Sequence, residues 1–444
     1  MIETVSLFLK KYCPVGRPVL LALSGGPDSL CLFHSLLACK KKGLVDFHAA
    51  HVNHRWREIS DQEAEILGQM VRSHGIPYYE KTLNPSRFKG NLEAFCRVAR
   101  QGFFQDLYVM HNFQGVLTGH HQNDQAETIL KRVLEGSYWT HFEGLKAEKY
   151  VNGTRFLRPL LHVPKNAIHS FLNGYELMAF KDPTNEDEGF LRARLRKTVL
   201  PWLNEKFGKN VHSALINLSS EMAEINAYFL QKNSSILNSF KDGRLGKYWD
   251  LQKAPPTSVE MKHLMRAILE REEACFSRSQ IDRAVEGLIK NDADLIFESM
   301  GKRMVIDRSK LFILNAFPEL NWKRGLLLEE GLNHTGGNWK IAVKKIPFCP
   351  FQQVPSWEEA WNGNFKVYVP VMKYQIVPPT YNAKVAGCSS SLQKMWSNNK
   401  VPSFLRKIIP ILLSDEGKAH EFLTGKQPVL LAEGDDCFEV ELLS

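Results

Sequence analysis

The chain has 444 residues, more than one ordinary domain holds, so roughly two to four domains are expected. Its 44% hydrophobic content supplies real cores and excludes a disordered protein, and no uncharged apolar run reaches the ~18 residues a membrane span needs. Lys plus Arg exceed Asp plus Glu by 57 − 48 = 9, a balance open to a polyanionic partner without establishing one.

The 8 cysteines are scattered with no C-x-x-C pair. That spacing suits reduced thiols in a cytoplasmic protein and speaks against a disulfide framework or a Cys-based zinc site. Glu3 comes early and no small-residue cleavage pattern follows, so no secretory signal is expected.

In chain order, 19–23 reads as a strand, 28–39 as a helix and 45–52 as a second strand. Residues 60–74 read as a helix with Ser60 at its N-cap and Glu63 completing a capping box. A third strand is expected at 77–82, a long helix at 92–110, a fourth strand at 115–118 and a helix at 123–134. Strands alternating with helices indicate a doubly wound parallel sheet covered on both faces. Such sheets bind ligands at the carboxyl ends of their strands, and the loops 24–29, 51–57 and 119–127 all follow expected strands.

Residues 136–210 look irregular, then helical: a helix at about 164–173, a turn at 182–185, and a basic helix through Arg192, Arg194, Arg196 and Lys197 that stops near Pro201. The pattern from about 211 to 290 is helical, closed by β-like runs at 295–297, 303–306 and 311–314. After Pro318 short alternating runs rich in Trp, Tyr and Pro suggest a small β-rich domain. The expected division is α/β: a catalytic domain at 1–210, a mainly helical middle domain at 211–318, and a β-rich C-terminal domain at 319–444.

The stretch Ser24-Gly25-Gly26-Pro27-Asp28-Ser29 joins the first strand to a helix. Gly25 and Gly26 lack a Cβ, so the backbone can reach φ > 0 and approach a ligand closely. Consecutive N–H groups and the helix dipole then favour an anion. Ser24 and Ser29 add hydroxyls, and Asp28 is placed to hold a cation accompanying phosphates. An ordinary strand–turn–helix with Ser24 as N-cap is the plainer alternative.

After the fourth strand comes Gly119-His120-His121, followed by Asp124 and Glu127, three apart on one helical face. This oxygen-rich set suits Mg²⁺ better than Zn²⁺; a solvated helix N-terminus is the alternative, and Asp124 also suits a substrate ammonium group. Val52, at the exit of the second strand, offers its backbone to an adenine edge. Glu93, Arg97 and Arg100 share a helical face, as do Arg192 and Arg196; both sets fit phosphate or plain solvated surfaces. No Walker A lysine, G-x-G-x-x-G or G-x-S-x-G sequence occurs, which leaves attack at a nucleotide α-phosphate held by backbone donors as the favoured chemistry.

Together these segments resemble the PP-loop ATP pyrophosphatase superfamily and, within it, the tRNA(Ile)-lysidine synthetases. The matching residues are 24–29, 51–57, 93–100, 119–128, 156–161, and 182–185 with 192–196; a weaker likeness continues to 401–410. The resemblance implies an ATP- and Mg²⁺-dependent ligase. It adenylates the wobble cytidine of an isoleucine tRNA with a CAU anticodon, then joins free L-lysine to it. It implies ATP contacts at Ser24, Gly25, Gly26, Pro27, Asp28, Ser29, Val52, Arg97, Arg100, Gly119 and His120. Asp28, Asp124 and Arg192 are implied to be catalytic, Asp28, Asp124 and Glu127 to face the metal, and Asp124, Glu127, Asp182, Asn185 and Arg196 to face the other substrates. Arg55-Trp56 stand where Gly-Leu is commoner in that family, and Ala193 where Asn is. A PP-loop tRNA thiolase is the alternative; its chemistry generally calls for paired cysteines or an iron–sulfur cluster. The β-rich domain is expected to read tRNA, no membrane is expected, and a homodimer is left open.

Overall fold

A computed structural model describes residues 1–14, 16–55, 59–84, 92–175, 180, 189, 191–253, 257–315, 325–334, 340–347, 356–362, 365–379, 384–386, 391–424 and 436–443; the side chains of 92–94 are not among what is described. The chain divides into two compact units, Met1–Asn226 and Ala227–Ser444. Among the described residues no helix is long and apolar enough to cross a membrane.

The first unit is built on a six-stranded sheet. Its elements run α1 (Ile2–Tyr12), β1 (Val19–Ala22), α2 (Pro27–Lys41), β2 (Phe47–Asn53), α3 (Ser60–Ser73), β3 (Tyr78–Thr82), α4 (Leu92–Met110), β4 (Val116–Leu117), α5 (Gln122–Leu134), β5 (Glu148–Val151), β6 (Thr154–Leu157) and α6 (Lys165–Gly174). The strand order is β3-β2-β1-β4-β6-β5, parallel except for the antiparallel edge strand β5. Val19, Leu20 and Leu21 on β1 are all buried, as a strand covered on both faces requires. One face packs α1, α2 and α6 through Leu9, Phe33, Leu36 and Ile168. The other packs α4 through Cys96, Phe104 and Leu107. From β1 the chain winds outward to β2 and β3, then returns to β4 on β1's other side. The order therefore reverses between β1 and β4, the switch point at whose carboxyl ends such sheets bind ligands.

Three local expectations change. The hairpin β5–β6 falls in a stretch expected to be irregular. It turns on Asn152 and Gly153, both at positive φ, the two-residue turn whose twist matches paired strands. Helix α3 begins at Ser60 with Ile59 at its N-cap, and Glu63 N–H donates to Ile59 O at 3.0 Å, so Ser60 lies inside the first turn and not at the expected cap. The basic segment does not stop at Pro201. A short helix α7 (Leu191–Arg194) passes through one π-type turn, Leu195–Val199, into α8 (Leu200–Phe207), followed by α9 (Val211–Lys232). Pro201 sits in the first turn of α8, where a missing N–H costs nothing, and the wider turn closes with Leu200 N–H donating to Leu195 O.

Among the described residues the second unit contains three sheets. Residues 241–314 form a five-stranded antiparallel sheet covered by helices Ser258–Arg271 and Arg278–Lys290. The runs expected at 295–297, 303–306 and 311–314 are strands of it, and Lys241–Gly243 and Gly246–Asp250 add two more. Beyond 325 lie a five-stranded and a four-stranded sheet. Their core gathers Trp357, Trp361, Phe365, Trp396 and Phe404. Phe404 packs on Phe312 of the first of these sheets, and Ser403 N–H donates to Asp307 at 2.9 Å.

Candidate active site

The turn between β1 and α2 is fastened by its own serines. Ser24 N–H donates to Ser29 Oγ at 3.2 Å, the two hydroxyls are 3.1 Å apart, and Ser29 Oγ donates to Gly26 O at 3.0 Å. Gly25 lies at φ +83°, where a Cβ would also strike Phe180 at 2.6 Å, so a side chain there is excluded twice. Gly26 caps α2 without a side-chain bond and Pro27 opens the helix. The result is a short cradle at a helix N-terminus, the positive end of the dipole.

The loop after β4 presses against this cradle. A Cβ on Gly119 would lie 3.0 Å from the Asp28 carbonyl carbon and 3.1 Å from Ser29 N, so the close approach needs glycine. His121 is buried and caps α5: its Nδ1 accepts from Asn123 N–H at 3.1 Å, while Asp124 Oδ2 accepts from His121 N–H at 2.9 Å. Because Nδ1 is an acceptor, the ring proton sits on Nε2. That atom lies 3.6 Å from both Asp28 Oδ1 and Asp124 Oδ2. One imidazole thus stands between two carboxylates from two loops.

Charge is arranged around this pair. Burial pushes Asp28 upward, Asp124 adds to the rise, and His121, Lys165 and Arg196 oppose it. Asp28 Oδ1 is buried with no hydrogen-bond partner among the described residues. His120, its Nδ1 2.9 Å from Thr118 Oγ1, is pushed down to about 4, mostly by burial; Arg158, Arg192 and Arg100 act in the same direction and Asp124 against it. The ring is therefore neutral near pH 7. Arg196 donates to both oxygens of buried Glu127, at 2.6 and 3.0 Å, and to Asp124 Oδ1 at 3.3 Å.

The structure therefore brings Ser24–Ser29, Gly119, His120, Asp124, Glu127, Arg192 and Arg196 to one end of the sheet, with Arg100 close enough to act on His120. Arg97 is exposed on α4. Val52 is buried at the end of β2 beside Lys81 of β3. Asp182 and Asn185 lie outside the described residues. Glu127 faces a guanidinium that occupies both of its oxygens. Three further groups join them. His121 caps α5, a role for which histidine has no common sequence signature, and only the fold brings Lys165 of α6 to the cradle. Arg158 was visible in the stretch 156–161 but carried no role there; burial lowers its pKa, and it donates to Lys146 O at 2.7 Å.

Arg55 stands at φ +50°, the left-handed region that favours glycine. It holds that shape with its N–H donating to Asn53 Oδ1 at 3.0 Å and its Nε to Asp61 Oδ1 at 2.9 Å.

A family profile described as "PP-loop domain" matches residues 3–203. The tRNA(Ile)-lysidine synthase of Protochlamydia amoebophila is 41% identical over 449 aligned positions, covering 100% of this chain and 96% of that protein. The tRNA(Ile)-lysidine synthase of Chlamydia pneumoniae is 42% identical over 215, covering 48% of this chain and 66% of that one. Among solved structures, the U34-tRNA thiolase NcsA of Methanococcus maripaludis with its [4Fe-4S] cluster aligns with 50% of this chain and 77% of its own, at 18% identity and a TM-score of 0.43.

Proposed function

The chain belongs to the tRNA(Ile)-lysidine synthase family of PP-loop enzymes, and from that premise we propose how its residues share the reaction. It is an ATP-dependent ligase that adenylates the wobble cytidine of an isoleucine tRNA and joins free lysine to the base. The cytidine O2 attacks the α-phosphate and pyrophosphate leaves; the lysine amine then attacks C2 and AMP leaves with the oxygen. Identity over the full length favours this activity over that of a thiolase.

The cradle 24–29 binds the triphosphate through its amides and the N-terminus of α2, and Gly119 lets the second loop close on it. Mg²⁺ fits here at Asp28, whose Oδ1 is buried without a hydrogen-bond partner among the described residues. That ion usually takes one or two carboxylates plus phosphate oxygens, which one acid at the phosphate cradle can serve. When bound, the cation offsets charge developing on the phosphates.

Asp124 orients the lysine amine and accepts its proton, since only the neutral amine attacks. Both Asp124 oxygens are already bonded, to His121 N–H and to Arg196, so the carboxylate is fixed before substrate arrives. Glu127 holds Arg196 beside it. Arg192, with Arg100 and Arg158, surrounds neutral His120 and meets phosphate charge; these donors are preorganised for the transition state. Val52 and Arg97 belong to the adenine and nucleotide side, Asp182 and Asn185 to the segment closing on substrates. The C-terminal part, 319–444, selects the tRNA. The location is cytoplasmic, where tRNA, ATP and lysine meet.

One observation carries this reading: two loops from opposite sides of the switch point meet so closely at Gly119 that one histidine lies between their carboxylates. Pyrophosphate release that requires both tRNA and lysine for sustained turnover supports it. Release indifferent to tRNA contradicts it.

A further inference from the structure

Beside the catalytic acids, in the first unit, lies an open groove of about 580 Å³ where the N-terminal ends of α5, α6 and α9 converge. Its walls include Asn123, Lys165, Asn204, Lys209, Asn210 and His212, and no lining residue is acidic. Among the described residues neither Lys165 nor Lys209 forms an ion pair. The amides serve the backbone: Asn123 Oδ1 accepts from Lys165 N–H at 3.2 Å, Asn204 Oδ1 from Val211 N–H at 2.8 Å, and Asn210 Oδ1 from Ser213 N–H at 3.1 Å. An amide oxygen used in this way leaves its NH₂ group as a donor. The lining is thus rich in donors and cations and free of carboxylates, the composition that receives phosphate rather than metal or apolar ligand.

The groove adjoins the reaction centre through α5: Gln122 and Asn123 line it, Asp124 follows them in the same first turn, and Lys165 N–H donates to Asn123 Oδ1 at 3.2 Å. The triphosphate already has its cradle at 24–29.

We propose that this groove seats the phosphodiester backbone of the anticodon strand next to the target cytidine, with Lys165 and Lys209 as its cationic contacts. The inference rests on the ligase reading above and deepens it by assigning a substrate-positioning surface. Backbone contacts of this kind carry no sequence information, but they fix the register in which the base is presented. Phosphate can also come from the nucleotide or from pyrophosphate, and the test separates these sources.

The test uses the full chain, its tRNA substrate and a nonhydrolysable ATP analogue, with Lys209→Ala and the double variant Lys165→Ala/Lys209→Ala. Lys209 is exposed and Lys165 half-buried, and thermal melting verifies the fold. Binding of the analogue and of tRNA is measured across a salt series, alongside lysidine formation by wild type. Lys209→Ala is expected to weaken tRNA several-fold and the double variant about tenfold. The slope of log K against log[salt] is expected to flatten by ~0.7 for each lysine removed, as for single-stranded contacts. Analogue affinity should change less than twofold for Lys209→Ala. Loss of analogue or pyrophosphate affinity with tRNA binding unchanged assigns the groove to the nucleotide and overturns the proposal. Unchanged tRNA affinity and salt slope overturn it as well. Wild type that binds tRNA with the lysine-dependent slope yet forms no lysidine refutes the ligase reading and leaves the groove assignment standing.

Discussion

Gly119→Ala tests the contact on which the site depends. The added Cβ would meet the Asp28 carbonyl carbon at 3.0 Å, Ser29 N at 3.1 Å and Asp28 Cβ at 3.2 Å. Two of these are backbone atoms in the first turn of α2 and cannot rotate aside, so one loop must retreat by a few tenths of an ångström. Gly119 is not at positive φ, which makes the perturbation purely steric. Overpacking of this kind costs ~1–3 kcal/mol, and at ~2–4 °C per kcal/mol for a unit of this size a 2 kcal/mol loss lowers the melting temperature by about 4–8 °C. Rates suffer more than stability. A misplacement near 1 Å costs up to ~100-fold, so a shift of a few tenths is expected to slow pyrophosphate release about tenfold with tRNA binding unchanged. Gly102→Ala in α4, whose Cβ meets nothing within 4 Å, is the control and should gain up to ~1 kcal/mol from helix propensity. If Gly119→Ala matches wild type in rate, analogue affinity and melting, the two loops are not in contact and the geometric basis of the site fails.

Arg196→Ala strands Glu127, whose side chain is 3% exposed; the usual ~3–5 kcal/mol for a broken buried pair, reduced because Arg196 is 32% exposed, gives about 2–3 kcal/mol in denaturant unfolding. Adding Glu127→Gln should recover part of that stability without restoring turnover, and a double variant no more stable than the single shows that the pair is not the buried element. Asp28 has its folded pKa raised by burial, so its contribution to stability is present below the ordinary carboxylate pKa of ~3.9 and lost as pH rises through the folded value. Without ligand, Asp28→Asn should therefore melt above wild type at neutral pH, with the gap closing as pH falls below ~4; a gap independent of pH refutes the shift. Asp124→Asn should raise the lysine KM and lower kcat more than it changes the ATP KM, and equal effects on both substrates would remove it from the amine. Arg55→Gly relieves a positive φ at the loss of one exposed ion pair, so a melting temperature unchanged or slightly raised is expected; a large loss would show that Arg55 has a packing role.

What could be read before the fold was known depended on how local each signal was. Strand–turn–helix alternation and the paired glycines 25 and 26 are encoded within a few neighbouring residues, and the parallel sheet followed from them. Asn152-Gly153 is equally local, a two-residue hairpin signal between Val151 and Thr154, but the surrounding stretch lacks the period-two alternation that marks strands. Pro201 carries the signal of a helix stop, yet a proline in the first turn of a helix is compatible with continuation once a π-type turn precedes it. Asp124 and Glu127 were legible as one helical face, but their separate duties were not. Glu127's partner, Arg196, is 69 positions away, and only the fold shows that it takes both oxygens. The same holds for Lys165, which α6 carries to the cradle, and for His121, whose importance comes from lying between carboxylates of two loops. Arg55 is instructive in another way: the odd residue in its loop occupies the backbone conformation that explains why glycine is commoner there.

The most direct measurement is mass analysis of the wobble nucleoside from isoleucine tRNA after incubation with the enzyme, ATP and isotopically labelled lysine. The account predicts a cytidine heavier by one lysine less one water, carrying the label, formed only with ATP and lost in Asp28→Asn. Consumption of ATP that leaves that cytidine unlabelled, or label arriving at another nucleoside, would contradict it.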